Sequence, residues 1–168
     1  ASISQSGLTN GSKLLACMLM IVGGSPAGTA GGIKTTTVAV LLLTAISVLR
    51  GNKDTECYGR KITFEIIRVG ITITLVTFVF WLFGVTVMTV IEPQQKVLDL
   101  MFEATSAMAT VGLTVDLTPV LSDISHVVLM LMMYIGRIGP MTMALIFSGH
   151  VDKKNQFRTL PEAKIMVG

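Results

Sequence analysis

Apolar residues run from Ile66 to Ile91, interrupted only by Arg68 near the start and by scattered threonines. A membrane-crossing helix needs roughly 20 apolar residues, so this run predicts one full span. Thr72, Thr74, Thr77, Thr86 and Thr89 can turn their hydroxyls back onto the carbonyls of that helix. His126 to Phe147 predicts a second span, with Arg137 near its middle. A third apolar region, Leu14 to Leu49, would measure about 54 Å as one helix, well beyond a hydrocarbon core of about 30 Å. The stretch GGSPAGTAGGIKTTT, Gly23 to Thr37, cuts it. The region therefore predicts one crossing broken at 23–32, or one that runs on past the bilayer. Between the two uninterrupted spans lies VLDLMFEATSAM, Val97 to Met108. As a helix it reaches only about 18 Å, too short to cross. It predicts a re-entrant helix that dips in and returns through ATVGLTVDLTP.

Composition agrees with the pattern. Of the 168 residues, 51% are hydrophobic and 14% charged, where a soluble domain carries about 25% charged residues. Cys17 lies in an apolar run and Cys57 in a charged loop, settings that argue against a disulfide and share no metal-like spacing. Residues 1–12 are polar, without a basic leader or an initiating methionine, so the chain reads like a piece of something longer.

The charges orient the array. Arg50, Lys53, Arg60 and Lys61 share one loop, and Lys153, Lys154, Arg158 and Lys164 fill the tail; basic segments of this kind face the cytoplasm. The segment 92–123 sets Glu92, Asp99, Glu103, Asp116 and Asp123 against Lys96 alone, and on the outer side its field would gather cations. Three crossings satisfy this arrangement, leaving the C-terminus cytoplasmic.

The return loop carries the candidate chemistry. Irregular backbone is tolerated at membrane depth only where it is buried in protein or lines an aqueous cavity. Thr110, Val111, Gly112, Leu113 and Thr114 would be such backbone. Rings of carbonyl oxygens replace the hydration shell of potassium in selectivity filters, and a glycine at Gly112 permits the conformation that aims them inward. The short helix would point its partly negative C-terminal end at the same place, favouring a cation. The alternative is an ordinary extracellular turn.

Three passages together resemble the Trk/Ktr/HKT superfamily of potassium transporters, most closely the membrane (pore) subunit of bacterial Ktr systems. They are MLMIVGGSPAGTAGGIKTTT, FEATSAMATVGLTVDLTP and MYIGRIGPMTMAL, and the terminal LPEAKIMVG is similar as well. The resemblance covers essentially the whole chain. It implies an all-α membrane protein built of helix–re-entrant pore helix–helix units of the potassium-channel type. Residues 1–61 would be the second helix of the third pore unit plus a cytoplasmic loop, 62–148 the fourth unit, and 149–168 a cytoplasmic tail. The N-terminal pore units would then be absent from this chain, and one loop cannot close a filter. Asp116 stands where family members often have glycine after the filter.

The glycine-rich stretch is not a phosphate loop, because Ile33 intrudes between Gly32 and Lys34. Gly24, Gly28 and Gly32 form GxxxG spacings suited to close helix packing, but Pro26 interrupts a regular helix. The preferred reading is a hinged intramembrane loop of Gly23, Gly24, Ser25, Pro26, Gly28, Thr29, Gly31 and Gly32, with Lys34 marking its inner edge or snorkelling. The resemblance implies that this loop is a gate. An arginine mid-span costs at least about 2.5 kcal/mol on insertion scales and rarely faces lipid. The resemblance places Arg137 in the pore as an electrostatic barrier; the alternative is a structural pairing. Trp81 reads as packing, His126 as a solvated neighbour of a helix start, and Glu65 with Arg68 as a helix-end pair.

These readings converge on a pore-forming subunit of a bacterial potassium uptake system in the cell membrane, a multi-pass protein with potassium, or in the alternative sodium, at the filter carbonyls. The resemblance implies a homodimer among membrane lipid, joined to a cytosolic ring of nucleotide-binding regulatory subunits. Nothing in the pattern points to an enzyme, an organic cofactor or nucleic acid. A sodium-selective or sodium-coupled variant and a non-conducting truncated scaffold are the alternatives.

Overall fold

The computed structural model describes residues 5–25, 31–51, 54–57 and 59–139. It is mostly helical. Helix α1 spans Asn10–Ile21, α2 Thr35–Leu49, α3 Phe64–Ile91, α4 Val97–Met108 and α5 Asp123–Ile138. The tail and the end of the run predicted at His126–Phe147 lie outside the described residues.

Local chemistry sets the helix ends. The Thr9 hydroxyl accepts the Ser12 amide and opens α1. Helix α2 closes on Gly51, whose φ of 71° suits the left-handed residue that follows many helices. Helix α3 is flanked by Thr63 and Glu92 at its cap positions, and Pro93 follows. All five threonines singled out on α3 bond back four residues, from Thr72 to the Arg68 carbonyl through to Thr89 and Val85. Their hydroxyls are thereby satisfied inside the helix, so the outer surface of α3 presents hydrocarbon. Among the described residues α3 is the one helix long and apolar enough to cross a membrane; α1 and α2 are shorter apolar helices.

Helix α4 is the centre of the bundle. Phe102 through Ala109 are all buried, and α1, α3 and α5 pack around them. Met88 of α3 and Leu100, Phe102 and Ala104 of α4 are fully enclosed. Two glycines set the approach of α5. A Cβ at Gly84 would fall on the Met132 side chain, and one at Gly136 would fall on the Met108 carbonyl oxygen. The Trp81 indole N–H donates to Thr105 Oγ1 at 2.9 Å, tying α3 to α4. Lys13 of α1 is buried, and its ammonium meets Asp99 in the first turn of α4 at 2.7 Å. Helix α2 lies against α3, crossing where Gly70 meets Thr37 and Leu41.

The outward faces of α2 and α3 are apolar and exposed: Leu49 is 86% exposed, Val90 75% and Phe83 67%. A contiguous surface of this kind calls for lipid or further protein.

Three details differ from the sequence reading. The helical break is wider than 23–32, since α1 stops at Ile21 and α2 begins at Thr35. The basic loop is not wholly irregular: Glu56–Cys57 (β1) pairs antiparallel with Arg60–Lys61 (β2), closed beside Gly59 at φ 73°. Glu65 and Arg68 do not pair, whereas Lys13 pairs with Asp99 and Lys61 with Asp54. Cys17 and Cys57 are both free thiols.

Candidate functional site

Helix α4 ends in a double hydrogen bond. The Val111 N–H reaches the Ser106 carbonyl at 3.0 Å and the Thr110 N–H reaches the Ala107 carbonyl at 3.1 Å. That is the Schellman arrangement, which requires a left-handed residue after the cap, usually glycine. Here the residue is Thr110, at φ 52°. A β-branched side chain rarely adopts that conformation, and holding it costs on the order of 1–3 kcal/mol. Gly112 follows at φ 82°. The chain thus enters left-handed space at alternate residues while running out of α4, and Val111, between them, is exposed.

Beyond Gly112 the loop is gripped by one carboxylate. Glu103 of α4 is 4% exposed. One of its oxygens accepts the Thr114 hydroxyl and the Val115 N–H, the latter at 3.1 Å. The other accepts the Thr118 hydroxyl at 3.0 Å. The acid therefore ties both ends of the arc 114–118 to the helix that precedes the loop. Asp116, inside the arc, sits at φ 64°. Aspartate is among the few residues that tolerate this region, the one glycine would favour. The left-handed backbone at this position accommodates either glycine or aspartate.

Past the arc, a short 3-10 turn, Thr118–Val120, leads into α5. Its anchor is Glu92. The Glu92 carboxylate accepts the Ser122 N–H at 2.8 Å and the Ser125 hydroxyl at 3.0 Å. Bonds from Ser122, side chain first and then backbone, hold its pKa below the ordinary carboxylate value, with Ser125 and the nearby His126 adding to the effect. His126 does more than neighbour a helix start, because its Nε2 lies 3.0 Å from the Thr118 carbonyl oxygen.

A cavity of roughly 620 Å³ lies between this loop and α5. Thr110, Gly112, Leu113 and Thr114 line it, together with Glu103 and Thr118. Arg137 lines it from the far side, beside Tyr134 of α5. The structure thus brings the loop stretch and Arg137 to one space, with Arg137 in the last turn of α5 and not near the middle of a described helix, and it adds the carboxylate that the sequence reading had only counted. A glutamate inside an apolar, non-crossing helix was the available signal, since ionisable residues at membrane depth face partners or aqueous cavities.

The glycine-rich stretch is placed in part. Gly23, Gly24, Ser25, Gly31, Gly32 and Lys34 are described; Pro26, Gly28 and Thr29 lie outside the described residues. The chain leaves α1 and comes back upon itself. The Gly23 N–H donates to the Ile33 carbonyl at 2.8 Å, the Ile33 N–H to the Ile21 carbonyl at 3.1 Å, and the Thr35 N–H to the Gly24 carbonyl at 3.2 Å. A Cβ at Gly23 would lie 2.1 Å from the Gly31 carbonyl oxygen, so the two strands of this neck approach as only glycine allows. Lys34 caps α2 with extended backbone. The returning strand then reaches the other candidate element: the Gly31 N–H donates to Thr110 Oγ1 at 2.8 Å.

Comparison with known proteins is specific. The profile of the TrkH family, described as cation transport protein, matches residues 1–158. The chain is 34% identical over 167 residues to Ktr system potassium uptake protein B of Bacillus subtilis, a match covering 99% of this chain and 37% of that protein. It is 32% identical over 168 residues to Ktr system potassium uptake protein D of the same organism, covering 100% of this chain and 37% of that protein. It is 34% identical over 170 residues to potassium/sodium uptake protein NtpJ of Enterococcus hirae, covering 99% of this chain and 38% of that protein. The chain thus spans little more than a third of the length of these relatives.

Proposed function

Since the chain belongs to the TrkH family of cation transport proteins, we propose that it forms one part of the ion path of a bacterial potassium uptake protein. Residues 62–148 form one helix–pore helix–helix unit, with α3 as the outer helix, α4 as the pore helix, 110–114 as the filter strand and α5 as the start of the inner helix. Residues 1–61 supply the second helix of the preceding unit, interrupted by the glycine-rich segment, and 149–168 the cytoplasmic tail. The remaining units come from the rest of the protein, and several filter strands together surround the ion.

The observation that carries this reading is the alternation of left-handed backbone at Thr110 and Gly112 on the wall of the cavity that also holds Arg137. Backbone of that shape can turn successive carbonyl oxygens toward one line, where they replace water around a potassium ion. The α4 C-terminus adds partial negative charge at the same point. Arg137, below, sets an electrostatic barrier, and the glycine-rich segment gates the inner end of the path.

The basic loop and tail face the cytoplasm, where the subunit, as a homodimer in the lipid bilayer, meets a regulatory ring that binds nucleotide. The Ktr relatives are named as proteins of a system, which supports a separate partner. Sodium as cargo is the second reading, favoured by the likeness to a potassium/sodium uptake protein.

The test is cation uptake by the full-length transporter. Gly112→Ala should abolish potassium flux or its preference over sodium, because alanine is strained at φ 82°. Arg137→Ala should change flux or its voltage dependence. Wild-type transport in both variants would refute the reading.

A further inference from the structure

Thr110 holds a conformation that its own side chain disfavours, and the structure provides what holds it. Two backbone bonds from α4 fix the turn, and the third restraint comes from the returning strand of the glycine-rich segment. The Gly31 N–H is buried, and Thr110 Oγ1 is its acceptor at 2.8 Å. The fit is close on every side. A Cβ at Gly31 would stand 2.7 Å from Thr110 Oγ1, 3.0 Å from its Cγ2 and 3.1 Å from the Ala109 carbonyl oxygen. A Cβ at Gly32, φ 75°, would meet the Ile21 carbonyl oxygen at 3.1 Å and the Ala109 methyl at 3.5 Å. Ile33, next along, is buried and paired with α1 through the Gly23 and Ile21 backbone. Gly31 therefore cannot shift without releasing Thr110, and Thr110 cannot leave the left-handed region without uncovering a buried amide.

We propose that the Gly31–Thr110 hydrogen bond couples residues 31–33 to the first residue of the filter, so that displacement of Gly31 changes which cation the filter accepts. The proposal rests on the pore reading above. Thr110 is a positioning residue in this role: its hydroxyl acts on the backbone around Gly112, not on the ion. Coupling between two sites is reciprocal, so occupancy of the filter by its preferred ion must in turn steady Gly31.

The experiment uses the full-length transporter in proteoliposomes, with potassium and sodium fluxes measured separately. Thr110→Val removes the acceptor at constant shape, Thr110→Ser keeps it, and Gly31→Ala drives a methyl into the Thr110 side chain. The potassium-to-sodium ratio should shift at least about fivefold, the lower end for coupled sites, in Thr110→Val and in Gly31→Ala. In Thr110→Ser the ratio should lie nearer the wild-type value than in Thr110→Val, and the double variant should shift no further than the larger single. An unchanged ratio in folded, transporting Thr110→Val would overturn the coupling. Gly112→Ala separates the two failures: if it leaves flux and ratio unaltered, the pore reading falls. If it alters them while Thr110→Val does not, only the coupling falls.

A measurement on the wild-type protein decides the matter if the variants misfold. Amide hydrogen exchange at 31–33 should slow at least about fivefold in potassium relative to a large impermeant cation. Equal exchange in the two salts would overturn the proposal.

Discussion

The side-chain oxygen of Thr110 accepts the amide hydrogen of Gly31 at 2.8 Å, joining two segments separated by 79 positions in the chain. Both partners are constrained by sterics. Gly31 has no room for a side chain, and Thr110 occupies backbone space that threonine rarely enters. The bond therefore links the connection between α1 and α2 to the loop after α4 at a point where neither side can relax independently.

Glu103 is expected to be the main support of the outer half of that loop. Glu103→Ala leaves the Val115 N–H and two threonine hydroxyls without their acceptor. The buried Val115 N–H, left unsatisfied, costs about 1–3 kcal/mol, while the half-buried hydroxyls retain each other, so the variant should melt below wild type and lose uptake. Glu103→Gln can keep an oxygen toward Thr114 and Val115 and turn its amide toward the Thr118 hydroxyl. It should lose less than half as much. Thermal unfolding of the detergent-purified full-length protein ranks the two; equal losses would argue against this geometry.

Two glycine substitutions should separate by the nature of what they strike. Gly136→Ala drives a methyl into the Met108 carbonyl, which is backbone and cannot step aside. It should destabilise by about 3 kcal/mol or more, at or beyond the usual range for overpacking, and prevent α5 from seating on α4. Gly84→Ala meets only the flexible Met132 side chain and should cost about 1 kcal/mol. Expression level and melting temperature of the two variants give the comparison.

Acid should loosen the Glu92 anchor. The Glu92 carboxyl titrates below its ordinary value of 4.5 because Ser122 and Ser125 donate to its charged form. A depressed folded pKa means that the contribution is fully present above that ordinary value and is lost as pH falls through the folded one. The protection of the Ser122 amide, relative to its intrinsic exchange rate at each pH, should therefore be constant at neutral pH and fall only in acid, below about pH 4.5. In Glu92→Gln that acid-dependent step should disappear.

Much of the architecture was legible because it is written in the length and continuity of apolar runs. The helix expected at Val97–Met108 has those bounds in the structure, and the run beginning at Ile66 needed only Phe64 and Glu65 added. The hydroxyl back-bonding on α3 followed from threonine chemistry alone. What stayed hidden depends on contacts between distant segments. Lys13 carried no reading of its own in the sequence, and only the packing of α1 on α4 brings it to Asp99. Glu103 read as one more outer acid because its acceptors are met by residues 11 to 15 positions on, across a turn that no periodicity describes. The small β1–β2 hairpin was missed because two-residue strands leave no alternation to detect. The neck of the glycine-rich stretch, with Ile33 returned to Ile21, required the fold itself.

Ion density in the filter is the decisive observation. A structure of the full-length transporter grown in thallium, a potassium surrogate with strong anomalous scattering, would locate the cation relative to this loop. The expected map has anomalous peaks on the line faced by the carbonyl oxygens of 110–113, above Arg137 and on the cavity that both share. Peaks elsewhere, with the Thr110–Thr114 backbone turned away from every bound cation, would remove the basis for the functional reading.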